Sequence, residues 1–205
     1  MNRMGSLSVT GMMGEAPLLR VEGLVAGHRT APVIGPMTFT LSPGEVIGLW
    51  GANGVGKSTL LNAIAGTARP FAGTIRRRPG LTLAYQEQRP ARLPLMPMTG
   101  RDLLRAAGLA ATPPPARLRP WLGQRLDTLS GGEFQLLNVW ATLASGMDLV
   151  LLDEPTNNLD PDAEALLGEF LAARRGGQAV LLVSHERDFL DAVCQRVLEV
   201  VAWKA

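Results

Sequence analysis

The chain is 205 residues long, enough for one to two domains at the usual ~100–200 residues each. Hydrophobic residues make up 46% and charged residues 19%, which excludes a disordered chain, because such chains lack the apolar surface that offsets ordering entropy. Twenty Lys and Arg against 18 Asp and Glu leave a net charge of +2, a weak lever for binding nucleic acid; the single cysteine, Cys194, excludes an intrachain disulfide framework and a cysteine-based zinc site.

Residues 1–17 are rich in Gly, Ser and Met and carry no period, so a flexible tail is expected, with Met12 or Met13 as an alternative start. Arg3 is followed by Gly5, Ser6, Ser8, Thr10 and Gly11, which interrupt any apolar run, so no secretory signal is expected. Runs such as 148–152 and 179–183 are far short of the ~20 apolar residues a membrane span needs. Leu18 to Val25 and Met37 to Leu41 read as strands, and Ser42-Pro43-Gly44 as a turn. Glu45 to Trp50 is a short apolar run of the kind that forms a buried parallel strand. A Gly-rich turn leads into a helix over Lys57 to Ala65. Gly73 to Gln88 reads as a short hairpin, two strands around Pro79-Gly80.

From Arg89 to Pro120 the composition shifts to Pro and Arg, and Pro113-Pro114-Pro115 forbids a long helix. The best helix there is Asp102 to Leu109. An inserted helical subdomain is expected over about 89–145, closing with a helix from Phe134 to Ala144. Leu149 to Leu152 and Ala179 to Val183 read as buried strands, and Pro161 to Ala173 as a helix ended near Gly176-Gly177. A helix over Asp188 to Gln195 and a strand over Val197 to Val201 complete the chain. Strands alternating with helices predict an α/β fold with a mainly parallel sheet.

Gly51-Ala52-Asn53-Gly54-Val55-Gly56-Lys57-Ser58-Thr59 matches G-x-x-x-x-G-K-[ST] between a strand and a helix. Glycines let backbone N–H groups converge on phosphate oxygens, and the helix N-terminus adds its positive dipole. Lys57 reaches the outer phosphates and the Ser58 hydroxyl ligates Mg²⁺. Leu149 to Leu152 ends in Asp153-Glu154. Carboxylates at that strand tip face the ligand crevice, where Asp153 can hold Mg²⁺ through water and Glu154 can orient or deprotonate an attacking water. Ser130-Gly131-Gly132-Glu133 opens a helix, either as an anion site or as a plain capping box.

These motifs stand in a fixed order: the phosphate loop, Gln88 after two strands, Leu129 to Glu133, Leu151-Leu152-Asp153-Glu154-Pro155, Asn157 to Asp160, then Ser184-His185. That order resembles the ATP-binding-cassette (ABC) ATPase family from about Leu18 to Val201. The resemblance implies a P-loop NTPase core with an antiparallel β subdomain and the inserted helical subdomain, in a single domain over 18–205. It implies that Glu154 is the base, that Gln88 touches Mg²⁺ and the attacking water, and that His185 sits near the γ-phosphate. Gln88 rather than Gln86 matches the family spacing from an aromatic, here Tyr85. Ser130, Gly131 and Gly132 resemble the signature that contacts ATP held by an opposite subunit, and Asp160 belongs to the loop that follows the base. The family stacks an aromatic on adenine before the phosphate loop; Gly27-His28 is the matching place, making His28 the candidate. Two arginines common in the family's signature helix are replaced by Leu136 and Ala141.

The expected cofactors are ATP and Mg²⁺. The expected partners are a second copy or a related ATPase subunit, paired head to tail, and separate transmembrane permease subunits, which place the chain on the cytoplasmic face of the cell membrane. Leu95-Met96-Pro97-Met98-Thr99 resembles the ATPases of zinc and manganese uptake systems, and the overall length resembles small haem-export ATPases. Asn157 to Asp160 and Val183 to Leu190 resemble instead the ribosome-associated class, which carries two cassettes and a charged linker. Arg76-Arg77-Arg78 reads as a solvated face, so nucleic acid is not the expected partner.

Overall fold

The computed structural model describes residues 15–28, 30–88 and 97–204. Most of the expected tail, both alternative start sites, the side chain of His28 and the Leu95-Met96 part of the metal-uptake resemblance lie outside the described residues.

Three five-residue runs, β3 (Val46–Trp50), β6 (Leu149–Asp153) and β7 (Ala179–Val183), are buried almost throughout. A strand apolar on both faces is stable only in a sheet covered on both sides, which parallel pairing with helical crossovers supplies. They form the centre of a five-stranded parallel sheet of order β5-β6-β7-β3-β8, with β5 (Leu83–Gln86) and β8 (Arg196–Glu199) at its edges. The pleat sorts their side chains by parity. Leu149, Leu151, Leu181, Ile47 and Leu49 face one core. Val150, Leu152, Val180, Leu182 and Val46 face the other.

The first core is closed by α1 (Lys57–Ala65) and by an antiparallel sheet of order β2-β1-β4. Its strands are β1 (Leu19–His28), β2 (Ala31–Leu41) and β4 (Arg69–Arg77). The second core is closed by α3 (Gly131–Ala144), α4 (Pro161–Ala172) and α5 (Arg187–Val193). α2 (Gly100–Ala106) and a 3-10 helix over Ala116–Trp121 join the same core through Leu104 and Leu118. Cys194 is partly buried, and burial, then the Asp191 charge, pushes its thiol up to about 12. Among the described residues no helix is long and apolar enough to cross a membrane.

Several boundaries differ from the sequence reading. β2 begins at Ala31, not Met37, and β4 at Arg69, not Gly73. Both contain prolines, Pro32 and Pro36 in one and Pro70 in the other. Both are outer strands of their sheet, where a missing N–H breaks no central ladder. The expected Gly73–Gln88 hairpin does not form. β4 runs antiparallel to β1 and β5 runs parallel to β6, so Pro79-Gly80 is a crossing between sheets. α2 starts at Gly100 because Thr99 and Asp102 close a capping box, and Gly108, at φ 77, follows its end. α3 starts three residues before Phe134 for the same reason, with Ser130 and Glu133 as the box. α5 and β8 each lie slightly N-terminal of the expected spans.

Leu181 is fully buried at the centre of β7. Leu181→Ala is expected to cost about 2–5 kcal/mol, read as a lower urea midpoint at unchanged m-value.

Candidate active site

The phosphate-loop motif lies on the turn from β3 into α1. Gly56 caps α1 at φ 107, and a Cβ there would fall 2.0 Å from Ile34 Cγ2, so only glycine fits. The crown of the loop, Ala52 to Gly54 with Asn53 between, is exposed. Thr59 is buried one residue beyond Ser58, on the first turn of the helix.

Lys57 is 6% exposed, a rare position for an ammonium. Its Nζ donates to the Gly51 carbonyl at 2.8 Å and lies 3.5 Å from Glu154 Oε1. Glu154 is itself buried and sits at φ 50. A left-handed conformation costs a non-glycine residue on the order of 1–3 kcal/mol. Its backbone N–H donates to Val183 O at 3.0 Å, and its carbonyl accepts from Asn157 N at 3.2 Å. The other carboxylate oxygen, Oε2, lies 2.9 Å from His185 Nδ1 and accepts from the His185 backbone N–H at 3.2 Å. Lys57, Glu154 and His185 thus form one connected row, built from the start of α1 and the residues just beyond β6 and β7.

Asp153 ends β6 beside this row. Burial, reinforced by the Glu154 charge, raises its carboxyl above the usual range, against the lowering influence of the Ser58 hydroxyl, Tyr85 and Lys57. Tyr85 donates its phenol to Asp153 Oδ2 at 3.3 Å, and burial, then the Asp153 charge, pushes that phenol well above its ordinary value. The second oxygen, Asp153 Oδ1, is buried without a hydrogen-bond partner. A buried, orphaned carboxylate oxygen beside a hydroxyl is a hard-oxygen donor pair that suits Mg²⁺, which takes few protein ligands and completes its shell with phosphates and water. Among the described residues no three His, Cys, Asp or Glu gather as a metal site of their own.

Gln88 is exposed just beyond β5. Gln86 is buried with neither side-chain polar atom partnered, on the β5 face opposite Tyr85. Ser130, Gly131 and Gly132 stand apart, in a cleft of about 700 Å³ shared with Asn158 and Asp160 and containing no residue of the phosphate loop. The capping-box reading of this segment holds. Ser130 N–H donates to Glu133 Oε2 at 2.8 Å, and Glu133 N–H to Ser130 Oγ at 3.2 Å. Asp160 likewise caps α4, accepting from Ala163 N at 2.8 Å. Leu136 and Ala141, the positions without arginine, are buried in the helical core.

The sequence reading missed Tyr85 as a partner of Asp153, and it missed the buried Thr156–Ser184 hydroxyl pair at 2.9 Å. It also missed Glu186, whose Oε1 lies 3.9 Å from His185 Nε2. Burial, then a hydrogen bond with Glu186, raises Glu164 above the usual carboxylate range. The folded chain holds that proton more tightly than the unfolded one. The contribution to stability is therefore full below the unfolded value and is lost as pH rises through the folded one. Relative to Glu164→Gln, the wild type is expected to lose stability as pH climbs from about 4.5, measured as diverging urea midpoints.

A family model described as ABC transporter matches residues 34–157. The chain is 36% identical over 195 residues to the zinc import ATP-binding protein ZnuC of Jannaschia sp. (strain CCS1), covering 88% of this chain and 78% of that protein. It is 34% identical over 184 residues to the probable ATP-binding protein YheS of Escherichia coli (strain K12), covering 85% of this chain and 28% of the other. A solved ATP-binding subunit of an ABC transporter superposes with a TM-score of 0.72 at 26% identity, over 90% of this chain and 86% of the other. With its loop, acidic strand tip and histidine in one row, the chain belongs to the ABC transporter family, as an ATP-hydrolysing subunit coupled to transport.

Proposed function

We propose that the chain hydrolyses Mg²⁺-ATP to drive import of zinc through separate permease subunits, working as a head-to-tail pair on the cytoplasmic membrane face. The row Lys57–Glu154–His185 carries the hydrolytic part of this reading. Its buried ion pair has a built-in exchange. When phosphate oxygens enter the loop, they compete for the Lys57 ammonium that Gly51 O and Glu154 Oε1 now hold. Drawing Lys57 toward the phosphates releases Oε1, which is then free to take the proton of an attacking water. Glu154 Oε2 stays tied to His185, so the carboxylate keeps its orientation. Water's oxygen joins the γ-phosphorus, the bond to the β-phosphate oxygen breaks, and ADP and phosphate result.

Mg²⁺, held by Asp153 Oδ1 and the Ser58 hydroxyl, would neutralise the charge of the phosphate oxygens. Gln88, exposed just beyond β5, is the further residue assigned to that group. Ser130, Gly131, Gly132 and Asp160 open on a separate cleft, so one chain presents two half-sites. Two copies related by a two-fold axis make both half-sites whole, which supports the head-to-tail pair. The zinc assignment is supported by the zinc import ATP-binding relative, of which the match covers 78%; the probable ATP-binding protein is matched over only 28%. On this reading, residues 18–205 act as one ATPase domain, with the segment of about 89–145 as its permease-facing part.

Glu154→Gln is expected to lower Mg²⁺-ATP turnover by about a hundredfold or more while ATP binding persists. The variant should run as a dimer in Mg²⁺-ATP by light scattering. A strictly monomeric variant at saturating ATP would sink the paired mechanism. Lys57→Ala is expected to abolish hydrolysis, measured by phosphate release. For zinc, loss of the chain is expected to slow growth of its own cell under zinc chelation, with rescue by added zinc; no growth defect would remove that assignment.

A further inference from the structure

Glu154 and His185 meet at one carboxylate oxygen but stand on two separate turns, the one after β6 and the one after β7. The first turn is strained at two points, Glu154 at φ 50 and Asn158 at φ 63. Left-handed residues other than glycine persist only where their surroundings over-determine them. On the second turn the His185 side chain is 47% exposed, so packing alone does not fix it.

Two of the contacts that join these turns run through Glu154 itself. Its backbone N–H donates to Val183 O at 3.0 Å, and its Oε2 meets His185. A further contact does not involve Glu154. Thr156 Oγ1 and Ser184 Oγ lie 2.9 Å apart, with Thr156 1% exposed and Ser184 fully buried. Thr156 stands between the two left-handed residues, and its carbonyl accepts from Leu159 N–H at 3.1 Å. Ser184 Oγ also accepts from Glu186 N–H at 3.0 Å, which closes the backbone around His185. One buried pair of hydroxyls therefore holds the middle of the base's turn and the residues on both sides of the histidine. No water is at hand to replace either partner.

We propose that Thr156 is a positioning residue for hydrolysis, which through Ser184 locks the turn carrying Glu154 to the turn carrying His185. This rests on the reading of Glu154 as the base. Thr156 acts through that pair: it keeps Oε2 on the histidine, and so keeps Oε1 aimed. A reacting group misplaced by about 1 Å can lose on the order of a hundredfold in rate. The phosphate loop, on the turn from β3 into α1, does not depend on this contact.

The test is kcat and KM for Mg²⁺-ATP, with urea midpoints, for the wild type, Thr156→Val, Thr156→Ser and Ser184→Ala. Single-turnover phosphate release then compares Thr156→Val with and without Glu154→Gln. Thr156→Val keeps the branched shape without the hydroxyl, and is expected to lower kcat about tenfold or more at nearly unchanged KM. Thr156→Ser, which keeps the hydroxyl, is expected to retain most of the rate. Ser184→Ala breaks the same contact from the other side and serves if Thr156→Val does not fold. On Glu154→Gln, Thr156→Val is expected to add little, because residues that act through one group are not additive. Unchanged kcat in Thr156→Val or, where that variant does not fold, in Ser184→Ala overturns the proposal. So does a loss shared equally by Thr156→Ser, or an equal fold-loss with and without Glu154, which is the pattern of a purely structural role. Wild-type turnover in Glu154→Gln overturns the assignment of the base itself and this proposal with it.

Discussion

A buried ammonium must have its charge met, and Lys57 is the point on which the site turns. At 6% exposure it cannot rely on water, so the Gly51 carbonyl and the Glu154 carboxylate meet it. That pairing demands that the start of α1 and the tip of β6 converge, although Lys57 and Glu154 are 97 positions apart in the chain. Parallel pairing of β3 with β7, and of β7 with β6, does this, since it brings the C-terminal ends of all three strands to the same edge. Buried ion pairs gain little net stability, because desolvation offsets attraction. On the proposed mechanism, the pair is a held state that incoming phosphates exchange.

The same neighbourhood stores a local cost. Glu154 holds a left-handed backbone that its side chain disfavours, fixed by bonds to Val183 and Asn157. Next to it, Asp153 is buried with one oxygen unpartnered. Both features cost stability, and both stand at the atoms the proposed chemistry uses. The apolar strands that lead into them, with full burial on both faces, supply the offsetting stabilisation.

The cleft beside Ser130 follows a different logic. Ser130, Glu133 and Asp160 satisfy the N–H groups of two helix starts, so their local role is capping. Their exposed faces still open on a shared cleft. Where arginines are common in the family, Leu136 and Ala141 bury apolar surface among Leu137, Trp140 and Leu166.

Local order was legible in the sequence wherever residues in one short window carried the signal. The strands 149–152 and 179–183, the helix 57–65 and the Gly-Lys-Ser loop are of this kind, because burial pattern, glycine spacing and capping act over a few residues. The starts of β2 and β4 carry prolines, which a strand tolerates only at a sheet edge, and edge position is a property of the whole sheet. The hairpin expected over 73–88 failed for the same reason: two adjacent strands went to different sheets. Tyr85 on Asp153, Glu186 beside His185 and Trp203 on Val33 were invisible as well. Tyr85 and Asp153, like Trp203 and Val33, are far apart in the chain, while His185 and Glu186 are neighbours whose side chains only the fold turns toward each other. The sequence by itself determined which groups could do chemistry; only the strand order decided which of them meet, because pairing across a sheet is set by the burial of all its strands together.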